Sequence, residues 1–191
     1  MPVTISGSGT ITGIATGGLP DGSITAGDLA SSLDLTGKTV TLPAGTGGKI
    51  LNVWQQVKTD TQTVANRTFV DISGLSVTLT PASSSSTFLI MYHLGCVGSV
   101  NSGPIVTQIL RDSTAIGNGV DGTLNCNAAH YLASITLCSP SSGYYLDSPA
   151  TTSQIVYKLQ MASDGATAHI NRRQSDGFFR TASTFTVMEI G

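Results

Sequence analysis

The sequence predicts an all-β protein: an antiparallel β-sandwich of jelly-roll type, preceded by an extended N-terminal arm with at most one short helix. Three observations carry this expectation. Only 10% of the 191 residues are charged, against roughly 25% in ordinary soluble domains, and the polarity is carried instead by Gly, Ser and Thr. From Lys49 onward, short apolar runs alternate with clusters of Gly, Ser, Asn and Pro, without a helical period. Before that point the chain is glycine-punctuated, and the stretch ISGSGTITGIATGGLPDGSITAGDLA has no ionisable side chain before Asp21. A solvated disordered tail is normally rich in charge, so this segment has the composition of one that waits for a partner. The length suits one domain plus an extension, which divides the chain into an arm over 1–48 and a β domain over 49–191.

Within the arm, Ile5, Ile11 and Ile14 are spaced among glycines. One short helix is expected after Thr25: Thr25 and Asp28 form an imperfect capping pair, Leu29 and Leu33 share a face, and Gly37 can close the end. Such a helix is too short to stand alone and needs a surface to pack on.

In the β domain, strands are expected near 49–58, 68–72, 75–80, 87–97, 104–111, 128–138, 153–162, 167–173 and 183–190. The clearest is SQIVYKLQMA, with Ile155, Tyr157, Leu159 and Met161 on one face and Gln154, Lys158 and Gln160 on the other, the mark of a sheet with one wet face. AAHYLASITLC alternates less cleanly. FLIMYHLGC is apolar on both faces: Phe88, Ile90, Tyr92 and Leu94 share one, Leu89, Met91 and His93 the other. Such a strand is either central in a sandwich or covered on its second face by another subunit. TPASSSST and SPSSGYYLDSPATT read as loops.

The composition argues against several function classes. With a net charge of −2 and scattered Lys and Arg apart from Arg172-Arg173, no basic stripe exists to follow a phosphate backbone, so no nucleic-acid partner is expected. The apolar runs fall short of the ~18–20 residues of a membrane helix and no signal-peptide pattern opens the chain, so neither membrane insertion nor classical secretion is expected. Cys96, Cys126 and Cys138 form an odd set without CxxC spacing. Reduced thiols are the first reading, one disulfide the alternative.

The motifs that suggest chemistry fail on context. GNGVDG at 117–122 matches GxGxxG but leads into a strand-like run rather than a helix. TGKT at 36–39 lacks the leading glycine of a P-loop, since Ser32 stands there. His93, His130 and His169 fall in three different expected strands with no metal-ligand spacing. The sole glutamate is Glu189, and Asp21, Asp121, Asp164 and Asp176 each precede Gly, as turn formers do. No catalytic, metal or cofactor site is expected. Two aromatic clusters suit receptor or glycan contact instead: Tyr144 and Tyr145 in SSGYYLD, and Arg172, Arg173, Phe178 and Phe179 in NRRQSDGFFR.

Three separated pieces, taken together, resemble one known class. ISGSGTITGIATGGLPDGSITAGDLA resembles the glycine-rich N-terminal segment of bacteriophage tail-fibre proteins, including those of cyanophages. GTGGKILNVWQQVKTDTQTVANRTFVDISGLSVTLTPASSSSTFLIMYHLG resembles the opening of the β domain that follows it in such proteins, and AHINRRQSDGFFRTASTFTVMEIG its closing strands. Residues 101–150 match least well. The resemblance implies a structural virion protein made in the host cytoplasm. Its arm would dock to other tail or baseplate proteins through Ile5, Ile11, Ile14, Leu29 and Leu33. Its head would form a homotrimer that contacts a host-surface glycan by multivalency. The alternatives are a capsid decoration or other architectural virion protein without receptor binding, a polysaccharide-degrading spike and a cellular lectin-like or adhesin module. Deleting residues 1–48 is expected to leave the β domain folded while abolishing incorporation into particles.

Overall fold

The computed structural model describes residues 49–65, 67–99, 103–122, 124–134, 136–165, 167–175, 178 and 180–191. The chain divides into two units between Thr46 and Gly47. The expected arm, its helix and the contacts of Ile5, Ile11, Ile14, Leu29 and Leu33 lie outside the described residues, as does Phe179. The described residues are all-β. Eleven strands run in order: β1 Ile50–Lys58, β2 Gln62–Val64, β3 Val70–Leu79, β4 Thr87–Ser99, β5 Gly103–Arg111, β6 Thr114–Ile116, β7 Ala128–Leu132, β8 Cys138–Asp147, β9 Ile155–Ser163, β10 Ala168–Ile170 and β11 Ser183–Ile190.

Every strand pairing is antiparallel. A strand has two hydrogen-bonding edges, and β8 runs along one edge of β4 from Phe88 to Gly98. β11 and β10 therefore follow one another along the other edge, with β1 and β2 outside them. In the second sheet β9 takes one edge of β5 while β7 and β6 share the other, and β3 lies outside β9. With each interrupted strand counted once, the first sheet reads 1-8-3-6 and the second 2-7-4-5. This is the jelly-roll order of two interleaved Greek keys, the fold class the sequence predicts.

The two sheets bury each other's inner faces. Leu75 and Val77 of β3, Phe88, Ile90 and Leu94 of β4, Ile109 of β5, Tyr157, Leu159 and Met161 of β9, and Phe185 and Val187 of β11 are all buried in one cluster. Phe88 and Tyr157 meet across the sandwich with ring centroids 5.7 Å apart. The Tyr157 hydroxyl donates to Asp147 Oδ2 at 2.7 Å, and Arg111 Nη1 donates to both Asp147 oxygens at 2.8 Å. A buried charged cluster thus ties β8 of one sheet to β5 and β9 of the other. Burial, then the hydrogen bond to Asp147 and its negative charge, push the Tyr157 hydroxyl well above the ordinary tyrosine range.

Several expectations need correction. The expected strand over 128–138 is two: β7 ends at Leu132 and β8 begins at Cys138. Between them the Ser134 hydroxyl accepts from Thr136 N at 3.3 Å and Leu137 N donates to Ser134 O at 3.1 Å, a local turn that competes with strand pairing. SPSSGYYLDSPATT is not a loop throughout, because its first part is β8, an edge strand of the first sheet. Pro140 is tolerated there because it stands where the β4–β8 register shifts. The expected strands over 68–72 and 75–80 are one strand, β3, bent at Gly74, whose φ of 83° needs glycine. Cys96 and Cys138, read first as reduced thiols, are joined in a disulfide, with Cα atoms 5.5 Å apart. Cys126 is free.

Candidate functional site

The outer faces of the two sheets differ in kind. On the second sheet, Asn118 Nδ2 donates to Gln108 Oε1 at 3.0 Å, Gln108 Nε2 to Gln160 Oε1 at 2.7 Å, and Gln160 Nε2 to Asp71 Oδ1 at 2.5 Å. Lys158 Nζ completes the chain with Asp71 Oδ2 at 3.0 Å. Burial works against the Asp71 charge, but the hydrogen bonds from Gln160 and Lys158 and the ammonium charge outweigh it and hold its carboxyl below the usual range. A continuous chain of hydrogen-bonded polar side chains thus crosses this face, with Asn118 Oδ1 left without a partner.

The outer face of the first sheet is built from residues that alternate with the buried set. Phe88, Ile90, Tyr92 and Leu94 point inward, so Leu89, Met91 and His93 point outward. The strand registers then define rows across four strands: Val53–Met188–Leu89–Leu146, then Gln55–Thr186–Met91–Tyr144, then Val57–Thr184–His93–Ser142. Ile50 and Ile190 extend the face beyond the first row. None of these side chains is Lys, Arg, Asp or Glu. Ile50, Val53, Val57 and Leu146 are each more than half exposed, and Tyr144 is 76% exposed.

At the β8 edge is an open cavity of about 500 Å³, lined by Met91, Ser142 and Tyr144 from this face, by the Gly143 backbone, and by Tyr92 and Asn127 from the inner side of β8. Its geometry follows from Gly143. A Cβ at that position would overlap Asn127 Oδ1 and sit 2.6 Å from the Tyr92 ring, so glycine is what lets the Asn127 carboxamide lie against the β8 backbone. Asn127 is fixed by its backbone N–H to Thr107 O at 2.8 Å and by its Nδ2 to Gly117 O at 3.2 Å. The Tyr92 hydroxyl lies 2.7 Å from Thr107 Oγ1 and donates to Asn127 Oδ1 at 3.3 Å. Ser142 Oγ and His93 Nδ1 are hydrogen-bonded at 2.9 Å.

Of the residues singled out in the sequence, Tyr144 stands at this cavity. Tyr145 is opposite Ile90 and packs against the core, with its ring under Gly117, where a Cβ would sit 2.5 Å from it. The second cluster is elsewhere. Arg172 bridges Val97, six residues along β4 from Met91, the partner of Tyr144, or about 20 Å at strand rise. There the Arg173 guanidinium lies 6.0 Å over the Phe178 ring, and Arg172 Nη2 donates to His169 Nδ1 at 3.1 Å. The fold therefore keeps the two aromatic clusters apart. Asn127, Ser142 and Met91 were missed because SSGYYLD was read as a loop. Read as a strand, its alternation would have put Ser142 and Tyr144 on one face.

No protein-family model matches the chain, and no curated protein matches it. Among the described residues, no three His, Cys, Asp or Glu side chains gather where they could hold a metal ion, and no helix is long and apolar enough to cross a membrane. Glu189 is fully buried, where it accepts from Asn52 Nδ2 at 2.9 Å and from Ala82 N at 2.6 Å. Burial opposes its ionisation, but these hydrogen bonds prevail and lower its pKa. It anchors the 80–86 loop to β1 and β11.

Proposed function

We propose that the protein is a fibre-type structural virion protein of the bacteriophage tail-fibre kind. Its jelly-roll head associates as a homotrimer and adheres to the host surface, and residues 1–48 dock it to other virion proteins. The observation that carries this reading is the uncharged stretch of the first sheet's outer face across β1, β11, β4 and β8. A row of Val53, Met188, Leu89 and Leu146 across four strands is costly to leave in water and marks an interaction site. Three copies of a face without charge can converge on a threefold axis without like-charge repulsion or a desolvated ion. The second sheet, whose outer face carries the chain from Gln108 through Gln160 and Asp71 to Lys158, suits the solvent side of such an assembly. Closed symmetry would bury this apolar row and leave no open patch for further growth.

The test is the solution mass of the full-length chain by light scattering over a dilution series, beside the Val53→Asp variant. Val53 is 55% exposed and outside the core, so a carboxylate there leaves the sandwich intact but meets apolar side chains in an assembly. The expected result is three chains for the natural protein and a folded monomer for the variant. A natural protein that is monomeric throughout, or a variant of unchanged mass, overturns the reading.

A further inference from the structure

We propose that the cavity at the β8 edge is a subsite for one uncharged pyranose, stacked on Tyr144 and hydrogen-bonded by Ser142 and Asn127. This deepens the adhesion reading and rests on it. The volume of about 500 Å³ lies within the range of small-molecule sites. Its lining contains no Lys, Arg, Asp or Glu, so a carboxylate, phosphate or ammonium group would lose hydration without a counter-charge. A wholly apolar ligand fits equally badly. Asn127 Nδ2 uses one of its two N–H bonds on Gly117 O, and the Asn127 Oδ1 contact from Tyr92 is long, at 3.3 Å, so the carboxamide keeps donor and acceptor capacity for a ligand.

The ligand the walls describe has a flat apolar face and a hydroxylated edge, which is the anatomy of a neutral sugar ring. Tyr144 and its cross-strand neighbour Met91 supply the apolar platform, a ring large in area and low in conformational freedom. The polar floor is held before any ligand arrives. Asn127 is pinned through Thr107 and Gly117, and Ser142 is pinned by His93, so little ordering cost remains on binding. Glycine at 143 creates the floor, because any side chain there would displace the Asn127 carboxamide. The subsite lies one row further along the strands than Val53–Met188–Leu89–Leu146. A weak contact of this size becomes useful when several copies engage one surface.

The experiment is saturation-transfer NMR on the full-length protein. The ligands are the methyl glycosides of glucose, galactose, mannose, N-acetylglucosamine and rhamnose, with methyl glucuronide as the charged comparison. At least one neutral glycoside should bind and the glucuronide should not. Tyr144→Ala should weaken that binding about tenfold, and Gly143→Ala should abolish it, while the light-scattering mass of Tyr144→Ala stays that of the natural protein. The proposal is overturned if none of the neutral glycosides binds, if the glucuronide is preferred, or if Tyr144→Ala binds as tightly as the natural protein. It is equally overturned if Tyr144→Ala dissociates the assembly, since Tyr144 is then part of the interface. A monomeric natural protein that binds sugar through Tyr144 would sink the trimer while leaving the subsite standing.

Discussion

Arg111→Met removes the cation from the buried cluster that joins the two sheets. In the folded protein Arg111 Nη1 lies 2.8 Å from both Asp147 oxygens, and the side chains are 28% and 8% exposed. Breaking a buried ion pair by removing one partner typically costs ~3–5 kcal/mol because it strands the other charge. The partial exposure of Arg111 reduces this to about 2–4 kcal/mol, or a fall in Tm of roughly 4–16 °C for a domain of this size. Tyr157→Phe should cost less, about 1.5 kcal/mol, because Asp147 keeps its Arg111 contacts. Replacing all three at once, Arg111→Met with Asp147→Leu and Tyr157→Phe, removes every polar group together and should cost less than Arg111→Met alone. Urea unfolding followed by Trp54, the single tryptophan, reads all three variants. Protein concentration must be matched, since the proposed assembly would add concentration-dependent stability. A triple variant as destabilised as the sum of its parts, or an Arg111→Met cost under about 1 kcal/mol, would refute the argument that the cost comes from an uncompensated buried charge.

Two further outcomes are expected. The Cys96–Cys138 bond closes 42 residues of sequence, so on the loop-entropy relation its loss by Cys138→Ser should lower unfolding stability by about 4 kcal/mol; an unchanged urea midpoint contradicts this. His169 has its pKa lowered by burial and then by the neighbouring Arg172 guanidinium, so the unfolded chain takes up a proton near the ordinary His value of ~6.5 while the folded one does not. Stability from this group is complete above ~pH 6.5 and declines as pH falls below it until the folded pKa is reached; His169→Gln should flatten the urea midpoint between about pH 7.5 and about pH 5.5, and a midpoint equally steep in the variant refutes the assignment.

The jelly roll was legible where one face of a strand is wet. SQIVYKLQMA alternates because Ile155, Tyr157, Leu159 and Met161 are buried between the sheets while Lys158 and Gln160 bond to Asp71 on the second sheet's outer face. FLIMYHLGC was legible as a strand but left two explanations open, and both of its faces now have a place. It is central, with β8 on one edge and β11 on the other, and of its outward residues Leu89 belongs to the apolar row while Met91 lines the cavity. β8 was not legible. Its glycine, proline and serines are turn formers by composition, and their strand conformation comes from pairing with β4, a contact between segments about 50 residues apart. The disulfide was hidden for the same reason, because Cys96 and Cys138 become neighbours through the β4–β8 register. The cavity needs that register too, and it also needs Asn127 to come in from the chain before β7.

β8 is also the strand on which the structural and functional arguments converge. Its first residue, Cys138, is bonded to Cys96 of β4, and its last, Asp147, is held by Arg111 and Tyr157 of the second sheet. Tyr144 lies between these two anchors, on an edge strand whose backbone pairs with β4. An aromatic side chain on a loop would have to be ordered when it binds, whereas one on a strand tied at both ends is already placed. Weakening either anchor should therefore reduce sugar binding through Tyr144 even though neither Cys138 nor Asp147 lines the cavity. Because β8 carries Leu146 as well as Tyr144, the same anchoring also fixes one end of the apolar row Val53–Met188–Leu89–Leu146.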